Sequence, residues 1–192
     1  MSTLLERITL SFSTIPSFQD WLWAMGLLLS YAAIAIPLGQ RLGFLSPQTI
    51  SSWKVARKTT IVAFFMPGLL EELCWRVAFI PHPSEEVSLS LRCFWIVLSL
   101  ILFVLYHPLN IWVRHDTFKN PVFLGLAALL GLACTIAYLV TGSIWIPTIV
   151  QWLIVVGWLL FFGGLEKLKP SNKNRRARGK NKPAIALESI RG

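Results

Sequence analysis

The chain has 192 residues, of which 55% are hydrophobic and 14% charged, and it carries a formal net charge of +9. A soluble domain of this size carries roughly 25% charged residues, and here the deficit is local, with long uncharged stretches and a final segment dense in Lys and Arg. This excludes a water-soluble globular core, which interleaves apolar and polar residues at helical or strand period, and fits a bilayer-embedded body with a polar tail.

Residues 1–20 read as an amphipathic or irregular lead-in, without the basic start and short apolar core of a cleavable signal peptide. Five apolar segments follow. The first spans 21–39 and the second, 61–80, reads IVAFFMPGLLEELCWRVAFI. The third covers 93–110 and ends FVLYHPLN. The fourth, 122–141, is rich in Gly, Ala and Leu, and the fifth, 144–163, contains IWIPTIVQWLIVVGW. Each is close to the ~20 residues a helix needs to cross ~30 Å of hydrocarbon. The expected fold is an all-α membrane protein of about five transmembrane helices over 21–164. They form a bundle with an intramembrane polar cavity between the second, third and fifth spans. Gly125 and Gly131 suit close helix packing, and Pro67 and Pro147 suit local kinks. No internal repeat is visible.

The basic residues orient the bundle. With the N-terminus outside, Arg41, Lys54, Arg57 and Lys58 fall in one inner loop, Arg114 and Lys119 in another, and Lys167, Lys169 and the basic residues beyond them in the tail, while Arg76 lies within a span. Only Arg7 and Arg92 lie outside, as the positive-inside rule expects for an odd number of spans and a cytoplasmic C-terminus. Residues 165–192, with the run KLKPSNKNRRARGKNK, read as a disordered basic tail that anchors topology or binds anionic lipid. No aromatic residues are interleaved in that run, so no nucleic-acid partner is expected. Trp21, Trp23, Trp112 and Trp145 lie near span ends, where amphipathic rings settle. Cys74, Cys93 and Cys134 lack disulfide or metal spacing and read as small packing residues. His82 and His115 read as exposed loop residues, and Tyr106 and Trp152 as packing residues.

The second span carries the chemistry. Glu71, Glu72 and Arg76 stand near its midpoint in EELCWR. Each charge there costs about 2.5–3.5 kcal/mol on insertion scales. Glu72 and Arg76, four apart on one face, can pair and cancel part of that cost. Glu71 points about 100° away, toward a cavity, where a carboxyl can exchange protons with a water. A purely structural clamp among the three charges is the alternative. In the third span, Phe103 and His107 share a face, so the aromatic ring walls the site the imidazole enters. A carboxylate and an imidazole converging on one water suit a general base and its partner, or two ligands of a metal. Asn110 is placed to close the site.

The motif EExxxR in one span followed by FxxxH in the next resembles the CPBP family of intramembrane proteases, also called the CAAX-protease or Abi family. Here the motifs are Glu71-Glu72-Leu-Cys-Trp-Arg76 and Phe103-Val-Leu-Tyr-His107, and the resemblance covers about 60–163. It implies an endopeptidase acting on a peptide or membrane-protein substrate, with Glu71 activating water, His107 as its partner, and Glu72 and Arg76 as supporting residues. It also allows either a zinc ion held by Glu71 and His107 or a metal-free glutamate/water mechanism. A bacterial plasma membrane or a thylakoid membrane is the implied location. One departure stands out: the family's third motif, a His followed four residues later by a polar residue, is here Gln151 and Val155. Gln151 can donate to a developing oxyanion, but it is a poor zinc ligand. The departure leaves open a catalytically impaired member that serves as a membrane scaffold or assembly factor. A small transporter is a third reading, with little architecture to support it, since no inverted repeat is present.

Overall fold

The computed structural model describes residues 3–50, 52–109 and 115–169, and these form an all-helical membrane bundle with no strand among them. Asn110, Trp112, Arg114 and the tail from 170 onward lie outside the described residues. Helix α1 (Leu4–Ser13) and helix α2 (Phe18–Arg41) each open with a capping box, Thr3 with Glu6 and Ser17 with Asp20. The second span is one helical rod with changing winding. It begins as regular α3 (Trp53–Ala63) and widens into a π-helical run (Phe64–Leu70). It then passes Glu71 and Glu72 and widens again over Leu73–Val77.

Helix α4 (Leu89–Leu109) follows, then a 3₁₀ turn (Asp116–Lys119) and α5 (Pro121–Thr141). Helix α5 is capped by the Asn120 side chain, starts at a proline whose missing N–H costs nothing there, and ends at Gly142 with φ 66°. Helix α6 (Trp145–Phe161) and the short α7 (Gly164–Lys167) complete the fold. Helices α2, α4 and α5 are long and apolar enough to cross a membrane, and α6 is a shorter apolar helix. With the rod 53–77, five helical segments stand where five spans are expected.

The second span starts earlier than the sequence suggests. Lys54, Arg57 and Lys58, expected in a loop, occupy the first turns of α3, all exposed. Their long aliphatic stems let a helix carry such residues while the charged ends reach water. The π-winding has a local cause in Pro67, which has no N–H to give to Ala63. Gly68 lies against α6 at this point, where an added Cβ would sit 3.5 Å from the Trp152 Cβ. Trp152 itself packs edge-on to Phe64 and donates its indole N–H to the Thr60 carbonyl at 2.8 Å.

Helix α5 is the hub, burying Leu126, Ala127, Leu130, Cys134 and Ala137 among others. Gly131 permits this packing, because a Cβ there would meet Leu100 and Phe103 at 2.8 and 2.9 Å. Gly125, expected to do the same, has nothing within 4 Å. The lead-in is not irregular. Helix α1 is clamped to the loop ends nearest it, with the Arg7 Nε 2.6 Å from Glu85. Ser11 Oγ lies 3.1 Å from the Tyr138 hydroxyl, and the Ile144 N–H donates to the Ser11 carbonyl at 3.0 Å. Trp145 joins this clamp, its indole N–H donating to the Phe12 carbonyl at 3.1 Å.

His82 is also different from expectation. It is buried, with Nδ1 receiving the Ser84 N–H at 3.2 Å and Nε2 donating to the Gly142 carbonyl at 3.0 Å. The loop and the end of α5 come together around it, which spacing alone does not reveal. His115 is half-buried, its Nδ1 taking the Thr117 N–H at 3.3 Å at the head of the 3₁₀ turn.

Candidate active site

The rod 53–77 presents its charges on two sides. Glu72 and Arg76 turn inward and are fully buried, with Arg76 Nε 3.3 Å from a Glu72 oxygen. Arg76 also donates from Nη2 to the Gly131 carbonyl of α5 at 3.0 Å and sets its guanidinium 4.7 Å from the centre of the Phe103 ring. Neither Glu72 oxygen has a hydrogen bond of good geometry among the described residues, and the Arg76 guanidinium is the cation that faces it. In a low-dielectric interior that attraction is strong, and it only partly offsets the cost of dehydrating both ions.

Glu71 turns the other way, into a cavity of about 370 Å³. Its wall includes His107, Gln151, Cys74, Tyr31, Trp75, Phe103 and Phe123, so every one of the five spans contributes. The first and fourth spans thus join the second, third and fifth that the sequence points to. Most of the wall is aromatic and aliphatic, with Glu71, His107 and Gln151 as its polar groups near the motif positions.

His107 is held by its own helix and by rings. Its Nδ1 donates to the Phe103 carbonyl at 2.8 Å, which leaves Nε2 as the nitrogen carrying the lone pair. Phe103 and Phe123 meet the imidazole edge-on at 5.0 and 5.2 Å, and Phe118 lies at 6.1 Å. Glu71 and His107 share the cavity, and no hydrogen bond joins them.

Gln151 is the best-held polar group of the site. It is buried on α6 and donates through Nε2 to a Glu71 oxygen at 2.8 Å and to the Pro67 carbonyl. Its own carbonyl oxygen receives the Cys134 thiol at 3.7 Å. Cys134, which the sequence marks only as a packing residue, is fully buried and points the same thiol at the Pro147 carbonyl, also at 3.7 Å. Val155, four residues on from Gln151, lines the cavity without a polar group. Tyr106 also lines it, beyond its expected packing role, whereas Trp152 packs outside.

These residues do not suit a zinc ion. Zinc sites in enzymes use three protein ligands of imidazole, thiolate or carboxylate type. Among the described residues no three His, Cys, Asp or Glu side chains cluster as ligands. The position that supplies a third ligand in the motif holds an amide whose NH₂ group, not its oxygen, faces Glu71.

The cavity walls from the first and fourth spans had no sequence signal. Tyr31 and Phe123 look like any aromatic residue of an apolar helix, and only packing brings both to the cavity and Phe123 against His107. Comparison with known proteins agrees with the motif reading. The family model described as type II CAAX prenyl endopeptidase Rce1-like matches residues 53–157. No curated protein and no solved structure matches the chain. The chain therefore belongs to that family, a family of membrane endopeptidases.

Proposed function

We propose that this chain, as a member of the type II CAAX prenyl endopeptidase Rce1-like family, is an intramembrane endopeptidase in which Glu71 and His107 activate a water. The observation that carries this reading is that both side chains line one largely apolar cavity while the charge pair of the first motif, Glu72 and Arg76, is turned away from it. A water between them can give one hydrogen bond to the Glu71 carboxylate and one to His107 Nε2, with its oxygen lone pairs toward the substrate. Glu71 takes a proton as that oxygen attacks the scissile carbonyl carbon. When the carbon–nitrogen bond breaks, Glu71 returns the proton to the leaving amine, so the carboxylate is regenerated. Glu72 and Arg76 brace the rod that carries Glu71. The substrate is a peptide or membrane protein, and the protein resides in a bacterial plasma membrane or a thylakoid membrane with its C-terminus in the cytoplasm or its equivalent.

A second reading rests on the third motif. Gln151 and Val155 supply neither an imidazole nor a second polar group, which favours a member that has lost catalysis and serves as a membrane scaffold or assembly factor. Membranes carrying wild type, Glu71→Ala and His107→Ala separate the two. New peptide termini that appear with wild type and vanish in both variants are the expected result. Identical termini in all three would make the protein a binding partner and not a protease.

A further inference from the structure

The geometry points to Gln151 as the positioning residue of the site, a two-point clamp that fixes the Glu71 carboxylate and leaves none of its own hydrogens for an oxyanion. This rests on the protease reading for its catalytic consequence, and on contacts alone for the clamp. A primary amide has two N–H hydrogens and one carbonyl oxygen. Both groups that meet Nε2, the Glu71 carboxylate and the Pro67 carbonyl, are acceptors, so the NH₂ end must face them. The oxygen end faces a donor, the Cys134 thiol. The amide is thereby used at every polar position, and it is buried to 1% exposure.

The Pro67 carbonyl is available because the α-helical ladder is broken where the π-helical run ends and a tighter, three-residue bond closes it at Glu71. In a regular α-helix it would receive the Glu71 N–H, but that N–H bonds to the Gly68 carbonyl instead. The same irregularity that displaces Glu71 from the α-helical ladder therefore exposes the carbonyl that anchors Gln151. Helix α6 runs close by at this point, with the Trp152 Cβ 3.5 Å and the Thr148 carbonyl oxygen 3.6 Å from where a Cβ on Gly68 would sit. The clamp occupies one Glu71 oxygen, Oε2, and so directs the other to the cavity and its water.

A histidine at this position does not do the same job. A neutral imidazole has one N–H, so it cannot serve two acceptors at once. The clamp therefore predicts that Gln151→His lowers activity, where an oxyanion donor would predict retained or increased activity.

The test uses the full-length protein in membranes, with infrared difference spectra and initial rates on a peptide found from the released termini. The carboxyl band of Glu71 is identified as the one lost in Glu71→Gln. We expect that band to shift in both Gln151→Leu and Gln151→Met, two apolar replacements of similar size, so that a folding failure of one does not decide the result. We also expect kcat to fall on the order of 10²-fold in both, with KM nearly unchanged, as a misplaced catalytic group does. A Glu71 band identical to wild type in a folded variant overturns the clamp, as does wild-type kcat in Gln151→His. If wild type cleaves nothing yet the band shifts, the clamp stands and the protease reading falls.

Discussion

Glu71 and Glu72 are neighbours in the chain, yet the two sides of the second span treat them oppositely. The side toward α5 is dry and charged: Glu72 and Arg76 are buried at 3.3 Å from each other, and the guanidinium spends a further hydrogen bond on the Gly131 carbonyl. On the side toward the cavity no cation pairs directly with Glu71 among the described residues; its carboxylate takes a hydrogen bond from the neutral Gln151 amide and faces open space. The difference fits the roles proposed for the two carboxylates. A carboxylate locked to a buried cation is a brace, whereas one held by a single neutral donor keeps an oxygen for proton transfer.

The comparison breaks first at Glu71. Glu71→Gln keeps the size of the side chain and its contact with α6 but removes the proton acceptor, so the rate of terminus release should fall by roughly 10²–10⁴-fold. Thermal unfolding of the purified variant should stay near wild type. Equal loss of activity and of stability would erase the distinction between the two sides.

The brace should fail differently. Arg76→Met leaves Glu72 buried without a partner and should lower stability by about 3–5 kcal/mol. Pairing it with Glu72→Leu removes both charges and should recover most of that loss, because an apolar pair of similar volume avoids the dehydration cost. Denaturation in detergent, measured for the single and double variants, reads this directly.

The smallest effect sharpens the packing behind the brace. Gly131→Ala drives a methyl group to within 2.8 and 2.9 Å of Leu100 and Phe103, and should cost about 1–3 kcal/mol. Gly125→Ala meets nothing within 4 Å and should leave stability unchanged or slightly raised, since alanine favours the helix over glycine. The same denaturation series ranks the two glycines.

Much of the molecule is legible in its sequence because hydrophobicity in a membrane helix is one-dimensional. The five spans follow from segment length and polarity, and the Glu72–Arg76 pairing follows from four-residue spacing. The EExxxR and FxxxH motifs point to Glu71 and His107, and both side chains line the same cavity. The start of the second span was less legible, because flexible Lys and Arg stems let charged residues sit inside a helix end. The burial of His82 is not legible for a different reason: what buries it is a loop meeting the end of α5, a contact across the chain.

By itself, then, the sequence determined the apolar segments, the charges held within them and the family to which they belong, since each of these depends on residues close together along the chain. The tertiary structure decided the rest. It put Glu71 on the cavity side and Glu72 on the α5 side and brought Tyr31 and Phe123 to the walls. It also spent the amide of Gln151 on Glu71 and Pro67. Those outcomes depend on how wide one helix winds at Pro67 and how near α6 can approach at Gly68, distances that no local pattern of residues encodes.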